Sequence, residues 1–224
     1  MVLCYKNIHL REETDDDAAV VRGYGAVYAG CLGIRNLQPG TERTDGPHLD
    51  QKTHICDAGC GLGYLSLALS PYAGHITAVD RNPDAVTVLA DNCRRLGIGN
   101  ITPRCGDIAD VVPEVPYDAM VFCFFGGIQE ILSTAKRQCD GQIFIITRNY
   151  TTHRFSVGSH KTGSYGYATT KELLEQLAIP FEEQTMELEF GQPFRSLEDA
   201  RRFFETYSKD ADKNAITDEF LRKS

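Results

Sequence analysis

The chain has 224 residues, enough for one sizeable α/β domain with a small appendage and too few for two full domains. Its apolar fraction of 42% and charged fraction of 24% are typical of a globular protein. The formal net charge of −8 disfavours a large nucleic-acid substrate, because a protein that neutralises many phosphates needs a basic surface.

The first fifty residues contain one predicted helix and a linker. Thr14 is a candidate N-cap, and the aspartates at 15–17 would lie at the positive end of the helix. The polar stretch 36–50, which contains glycine and proline, then leads to the first strand. We predict that residues 1–50 form a separate helical segment, which either packs on the flank of the core or closes a ligand cleft as a lid. The apolar face of that helix would carry Val20, Tyr24, Val27, Tyr28 and Cys31.

The lack of a recognisable targeting signal and the pattern of cysteines predict a cytoplasmic protein. The N-terminus has no apolar core for a signal peptide, and no apolar run approaches the ~20 residues that span a bilayer, so we expect no membrane partner. Several of the eight cysteines lie in predicted strands, and they lack paired CxxC spacing. We therefore expect free thiols in a reducing compartment, with neither disulfides nor a metal site.

From residue 53 onward, short apolar runs alternate with longer amphipathic ones. Such alternation predicts a parallel sheet with right-handed crossovers. The runs at 117–125 and 141–150 are almost continuously apolar in their centres, which is typical of strands covered on both faces. The predicted strands are 53–60, 74–81, 100–107, 117–125 and 141–150, and the predicted helices between them are 63–73, 83–97 and 128–138.

A glycine-rich turn joins the first predicted strand to the first helix of this region. The sequence Asp-Ala-Gly-Cys-Gly-Leu-Gly at 57–63 lets the chain turn tightly and brings backbone N–H groups close to a ligand. The nicotinamide-dinucleotide fingerprint would need a glycine at position 64, where the chain has Tyr64. The turn therefore argues against a dehydrogenase.

Acidic residues end the next two predicted strands. Asp80 ends the second strand, where a carboxylate can accept both hydroxyls of a ribose. Gly106 and Asp107 follow the third strand, and Asp107 is placed to accept a hydrogen bond from the amine of adenine. Ile108 would then pack on the adenine ring.

These motifs, in this order and spacing, resemble those of the class I S-adenosylmethionine (SAM)-dependent methyltransferases. The resemblance covers roughly residues 53–150. It implies that the glycine turn lines the methionine end of SAM, that Asp80 binds the ribose and that Asp107 binds the adenine. Carried over by position, the cofactor-binding residues would be Asp57, Gly59, Cys60, Gly61, Asp80, Arg81, Gly106, Asp107, Ile108 and Phe122.

The resemblance also implies a Rossmann-like α/β fold over residues 51–224. The family pattern is a seven-stranded, mostly parallel sheet in the order 3-2-1-4-5-7-6, with helices on both faces. The segment 181–190 supplies a sixth strand, but 195–224 is predicted as a helical insertion with no last strand after it. Either the chain continues beyond this sequence, or a second copy completes the edge and gives a homodimer.

The segment after the fourth strand bears on the methyl acceptor. Methyltransferases that act on amide or exocyclic nitrogens often carry an Asn/Asp-Pro-Pro-aromatic motif there, whereas this chain has Phe-Cys-Phe-Phe-Gly-Gly at 122–127. With the acidic net charge, this predicts a small-molecule acceptor and makes nucleic acid an unlikely one. The alternatives are an RNA or protein methyltransferase and a non-catalytic SAM-binding protein of the same fold.

The polar, aromatic stretch 150–169 is the candidate substrate loop, and no catalytic residue is assigned firmly. Methyl transfer needs a general base only if the acceptor must lose a proton. Tyr150, His153 and His160 are the candidates, because histidine titrates near neutral pH and all three lie in this loop.

If one of the two histidines is the base, replacing it by alanine removes the group that takes the proton from the acceptor. We expect either His153→Ala or His160→Ala to lower kcat by at least tenfold in a methyl-transfer assay. Losses below tenfold in both variants would exclude a histidine base.

Overall fold

The computed structural model describes residues 53–150, 157, 166–185, 194 and 196–223. The chain divides between Thr147 and Arg148 into two compact units, and each is described by itself. The predicted N-terminal segment 1–50 and most of the predicted substrate loop 150–169 lie outside the described residues, so the predicted domain division stays a prediction.

The first unit is built on a sheet of five parallel strands in the order β3-β2-β1-β4-β5. β1 lies in the centre, where Asp57 is opposite Ala78 of β2 on one side and Val121 of β4 on the other. The observed order confirms the first five positions of the expected sheet. The strands are β1 (His54–Ala58), β2 (His75–Asp80), β3 (Ile101–Cys105), β4 (Tyr117–Cys123) and β5 (Cys139–Ile146).

Helices flank this sheet, as the sequence predicts, and their ends follow from local chemistry. α1 (Tyr64–Leu69) begins directly after the glycine turn. α2 (Pro83–Leu96) begins where the Asn82 side chain accepts the N–H of Asp84 at 3.0 Å, and it ends at Gly97 in the left-handed conformation. α3 (Ile128–Gln138) passes straight into β5, because Cys139 already has extended backbone angles. That direct join explains why β5 starts two residues earlier than predicted.

One core cluster of the first unit joins α3 to one face of the sheet. Alternate residues of β1 point to opposite faces, and Cys56 and Ala58 both point toward α3. Ile131 and Ala135 are the helix residues that meet them. The buried members of the cluster are Cys56, Ala58, Val79, Ile108, Val111, Tyr117, Met120, Phe122, Ile131 and Ala135.

The second unit contains three helices and a short core of its own among the described residues. α4 (Tyr167–Gln176) begins directly after Gly166, which has extended backbone angles. α5 (Leu197–Tyr207) is capped by Ser196, whose hydroxyl accepts the N–H of Asp199 at 3.1 Å, and it is followed by a 3-10 turn and by α6 (Asp218–Lys223). The core consists of Phe194, Ala200, Phe204, Ile216 and Leu221.

The sequence predicts a sixth strand at 181–190. Its first four residues, 181–184, are exposed coil in the structure. Residues 186–190 lie outside the described part of the chain. None of the described helices has the length and apolar character needed to cross a membrane.

Two glycines with left-handed backbones allow a matched stability test. A Cβ on Gly63 would overlap Cδ1 of the buried Leu89, whereas a Cβ on Gly97 would meet no atom within 4 Å in the part of the chain that the structure describes. Gly97→Ala places a side chain on a left-handed backbone, so we expect its free energy of unfolding to fall by about 1–2 kcal/mol. Gly63→Ala has the same backbone cost and also overpacks against Leu89, so we expect a fall of about 2–5 kcal/mol. Urea unfolding followed by circular dichroism measures both. Equal losses would contradict close packing of α2 on the glycine turn.

Candidate functional site

The carboxyl ends of β1 to β4 bring the predicted site residues to one edge of the sheet. In a parallel sheet with this strand order, the loops that follow neighbouring strands converge at that edge. Asp107 follows β3, Asp80 ends β2, the glycine turn follows β1 and residues 124–127 follow β4. The ten residues predicted for cofactor binding therefore lie on, or directly next to, these strand ends: Asp57, Gly59, Cys60, Gly61, Asp80, Arg81, Gly106, Asp107, Ile108 and Phe122.

Asp80 braces the glycine turn. Its Oδ2 accepts the N–H of Gly61 at 2.8 Å, and its Oδ1 accepts the N–H of Asn82 at 2.8 Å. The carbonyl of the preceding Val79 accepts the N–H groups of Gly59 and Cys60 at 2.8 and 3.0 Å. A carboxylate offers about four lone-pair directions, so Asp80 retains acceptor capacity for ligand hydroxyls.

Asp57 is a buried carboxylate at the start of the same turn, with only 1% of its surface exposed. The hydroxyl of Ser66, in α1, donates a 2.6 Å hydrogen bond to its Oδ2. Burial raises the pKa of Asp57 to about 6, and the nearby negative charge of Asp80 acts in the same direction, while the hydrogen bonds from Ser66 oppose the rise. Ser66 thus stabilises the ionised form in surroundings that disfavour it.

Asp107 carries two partners in the structure. Its Oδ1 accepts the N–H of Ala109 at 2.9 Å, which caps the 3-10 turn at Ile108–Asp110, and its Oδ2 pairs with the guanidinium of Arg81. The backbone hydrogen bond from Ala109, followed by the pairing with Arg81, lowers the pKa of Asp107. Ile108 is buried in the core cluster, and its carbonyl accepts the Gln138 side-chain amide at 2.7 Å. Its predicted packing against adenine stays a prediction.

The glycines of this edge differ in what surrounds them. A Cβ on Gly59 would overlap the ring of Phe125, and one on Gly63 would overlap Leu89. At Gly61 and Gly106, by contrast, a Cβ would meet no atom of the described residues within 4 Å. The two open glycines are the ones next to Asp80 and Asp107, so the described part of the edge has room for a ligand beside its acidic residues.

The phenylalanines after β4 take three different positions. Phe122 is 1% exposed in the core cluster, so its side chain offers almost no surface to a ligand, and its predicted cofactor contact is untested. Phe124 is 45% exposed and has a positive φ of 53°. Phe125 packs both on the core cluster and on Gly59. Phe125 belongs to the segment 122–127 that the sequence singled out, but it is not among the ten residues predicted for cofactor binding.

Cys60 is a poor nucleophile in spite of its place in the turn. It is buried, and desolvation together with the charges of Asp57 and Asp80 raises the pKa of its thiol well above the ordinary value. The cysteines of the described residues are free, and among those residues no group of three or more histidine, cysteine, aspartate or glutamate side chains is arranged to hold a metal ion.

The candidate bases are largely untested by the structure. Tyr150 belongs to the second unit and is partly buried. His153 and His160 lie outside the described residues, so a catalytic role for any of the three stays a prediction.

Comparisons with known proteins all point to methyl transfer. A family model described as a methyltransferase domain matches residues 49–185, more than half of the chain. A probable cobalt-precorrin-6B C(15)-methyltransferase (decarboxylating) of Methanothermobacter thermautotrophicus is 37% identical over 83 residues, which cover 36% of this chain and 43% of that protein. The 23S rRNA (uracil(1939)-C(5))-methyltransferase of Chromohalobacter salexigens is 39% identical over 61 residues, covering 27% of this chain and 13% of that protein.

A solved SAM-dependent methyltransferase from Thiobacillus denitrificans, in complex with S-adenosyl-L-homocysteine, is 17% identical with a TM-score of 0.43; the match covers 55% of this chain and 46% of that one. The matches span less than half the length of the two curated relatives. Because one of those relatives is named for rRNA, the expectation that nucleic acid is an unlikely acceptor gains no support.

The pKa of Asp57 gives a pH-dependent stability test. Its ordinary value is 3.8 and its folded value is about 6, so the folded state binds more protons between these pH values. The difference of about two pH units corresponds to about 3 kcal/mol of stability, which is present below pH 4 and is lost as the pH rises through 6. Asp57→Asn carries no charge and lacks this loss. In urea unfolding, the free energy of unfolding of the variant should therefore rise relative to that of the wild type by about 2–3 kcal/mol between pH 4 and pH 7.5. Parallel pH profiles for the two proteins would contradict an ionisable, desolvated Asp57.

Proposed function

Because this chain belongs to the class I SAM-dependent methyltransferases, we propose that it transfers a methyl group from SAM to a small-molecule acceptor. The proposed cofactor site is the carboxyl edge of the first unit, from Asp107 across Asp80 to the glycine turn. S-adenosylmethionine supplies the methyl group on a positively charged sulfur. The chain's own residues bind, orient and shield it.

One observation carries the site assignment. Two carboxylates with spare acceptor capacity, Asp80 and Asp107, lie at the ends of neighbouring strands beside the open glycines Gly61 and Gly106. An adenosine presents donors in the same order, with an amine on the base and two hydroxyls on the ribose. The donor and acceptor chemistry of the edge therefore suits the nucleoside half of SAM.

The other residues of the edge complete the proposed site. Gly59 and Gly61 form the turn beside the methionine half, and the hydrogen bonds from the turn to Asp80 and Val79 hold it against the end of β2. The carboxylates of Asp57 and Asp80 favour a cationic ligand. Cys60, Arg81 and Phe122 are retained as proposed neighbours of the cofactor because of their positions.

No general base is required in this proposal. Aligning an acceptor atom with the methyl carbon and excluding water can supply most of the rate, and a base acts only if the acceptor loses a proton. The acceptor atom therefore decides whether Tyr150, His153 or His160 takes part.

The proposed acceptor class draws on the relatives. The relative named for cobalt-precorrin-6B favours a small-molecule acceptor, in agreement with the acidic net charge of −8. The relative named for 23S rRNA favours the second candidate, an RNA methyltransferase. Retention on RNA that weakens steeply with salt would favour that candidate, because phosphate contacts release counterions.

Isothermal titration with SAM and with S-adenosylhomocysteine tests the cofactor site. We expect both ligands to bind the wild type, and Asp80→Ala to weaken both by at least tenfold, because it removes a charged acceptor and the brace of the turn. Asp91→Ala is the matched control, since Asp91 is an exposed aspartate of α2 that pairs with Arg94. Absence of binding to the wild type, or equal effects of the two substitutions, would contradict the proposed site.

A further inference from the structure

The ring of Phe125 lies directly on the backbone of Gly59, between the ends of β1 and β4. Cγ, Cδ1 and Cδ2 of the ring are the nearest atoms to the position that a Cβ on Gly59 would occupy. Since β1 and β4 are hydrogen-bonded neighbours, the ring forms the wall on the β4 side of the glycine turn.

The backbone around Phe125 fixes the ring in this position. The N–H of Phe124 donates to the carbonyl of Ile146 at 2.8 Å, and both Phe124 and Gly126 have positive φ values, 53° and 75°. A non-glycine residue with positive φ is unfavourable, and such strain persists where surrounding contacts determine the conformation. Packing of Phe125 on the core cluster supplies those contacts.

The strand order locates the ring relative to the proposed cofactor. Along the edge the sequence of groups is Asp107, Asp80, the glycine turn and then Phe125. If Asp107 and Asp80 take the nucleoside half, as proposed above, the sulfur end of the cofactor is directed toward β1 and β4. The ring of Phe125 contacts the glycine turn at that end.

We propose that Phe125 is a specificity-determining residue that distinguishes SAM from its demethylated product. The face of an aromatic ring attracts a cation, and SAM carries a positive sulfonium where the product carries a neutral thioether. The two ligands are otherwise alike, so Phe125 strengthens binding of the methyl donor and leaves binding of the product nearly unchanged. This inference rests on the proposed function.

The test is isothermal titration of SAM and S-adenosylhomocysteine into the full chain and into four variants. Phe125→Leu and Phe125→Met keep an apolar side chain but remove the aromatic face. We expect each to weaken SAM binding by about threefold to thirtyfold, with product affinity changed by less than threefold. Phe125→Tyr keeps the aromatic face and should restore the preference. Phe124→Leu, the same change at the exposed neighbouring position, should leave the ratio of the two affinities unchanged.

The ratio of SAM affinity to product affinity distinguishes recognition of the positive charge from a packing role, because a loss of packing weakens binding of both ligands equally. Equal weakening of both ligands by Phe125→Leu and Phe125→Met, or the same change of ratio in Phe124→Leu, would overturn the role of Phe125 and leave the proposed function standing. Failure of the wild type to bind either ligand would overturn the proposed function and this inference with it.

Discussion

The carboxylate of Asp80 connects the end of β2 to the glycine turn after β1, and the geometry of the site depends on this connection. Gly61 N–H donates to it at 2.8 Å, and the carbonyl of Val79 accepts two further N–H groups of the turn. A glycine-rich segment loses much conformational freedom on folding, so these bonds to one strand end offset the entropy of ordering it. The turn is therefore held against the end of β2.

Three aspartates gather at one edge, and each is stabilised differently. Asp57 is buried and receives the Ser66 hydroxyl, Asp80 receives two backbone N–H groups, and Asp107 pairs with Arg81 and caps a 3-10 turn. Burial of Asp57 works against stability at neutral pH, as its raised pKa shows. Carboxylates that are unfavourable for folding are expected where a positively charged ligand is to be bound, because function retains them against stability.

The sequence determined the fold of the first unit and the edge of the sheet at which the predicted site residues lie. Apolar strands alternating with amphipathic helices admit a parallel sheet, and parallel strands direct their carboxyl ends to one edge. The motif at 57–63, Asp80 and Asp107 could therefore be assigned to that edge before any coordinates were known. The five strands followed from local pattern in the same way. The prediction was wrong at 181–184, the first residues of the predicted sixth strand, because these residues are exposed coil.

Only the tertiary structure decided how the side chains of the edge meet. The pairing of Arg81 with Asp107, the brace from Asp80 to Gly61 and the ring of Phe125 on Gly59 join residues from different strand ends. Their distances depend on sheet register and on the positive φ of Phe124, which redirects the chain after β4. Hydrophobic periodicity specifies which face a residue occupies within its own element. It carries no information on the contacts between loops, because these are fixed by packing across the whole unit.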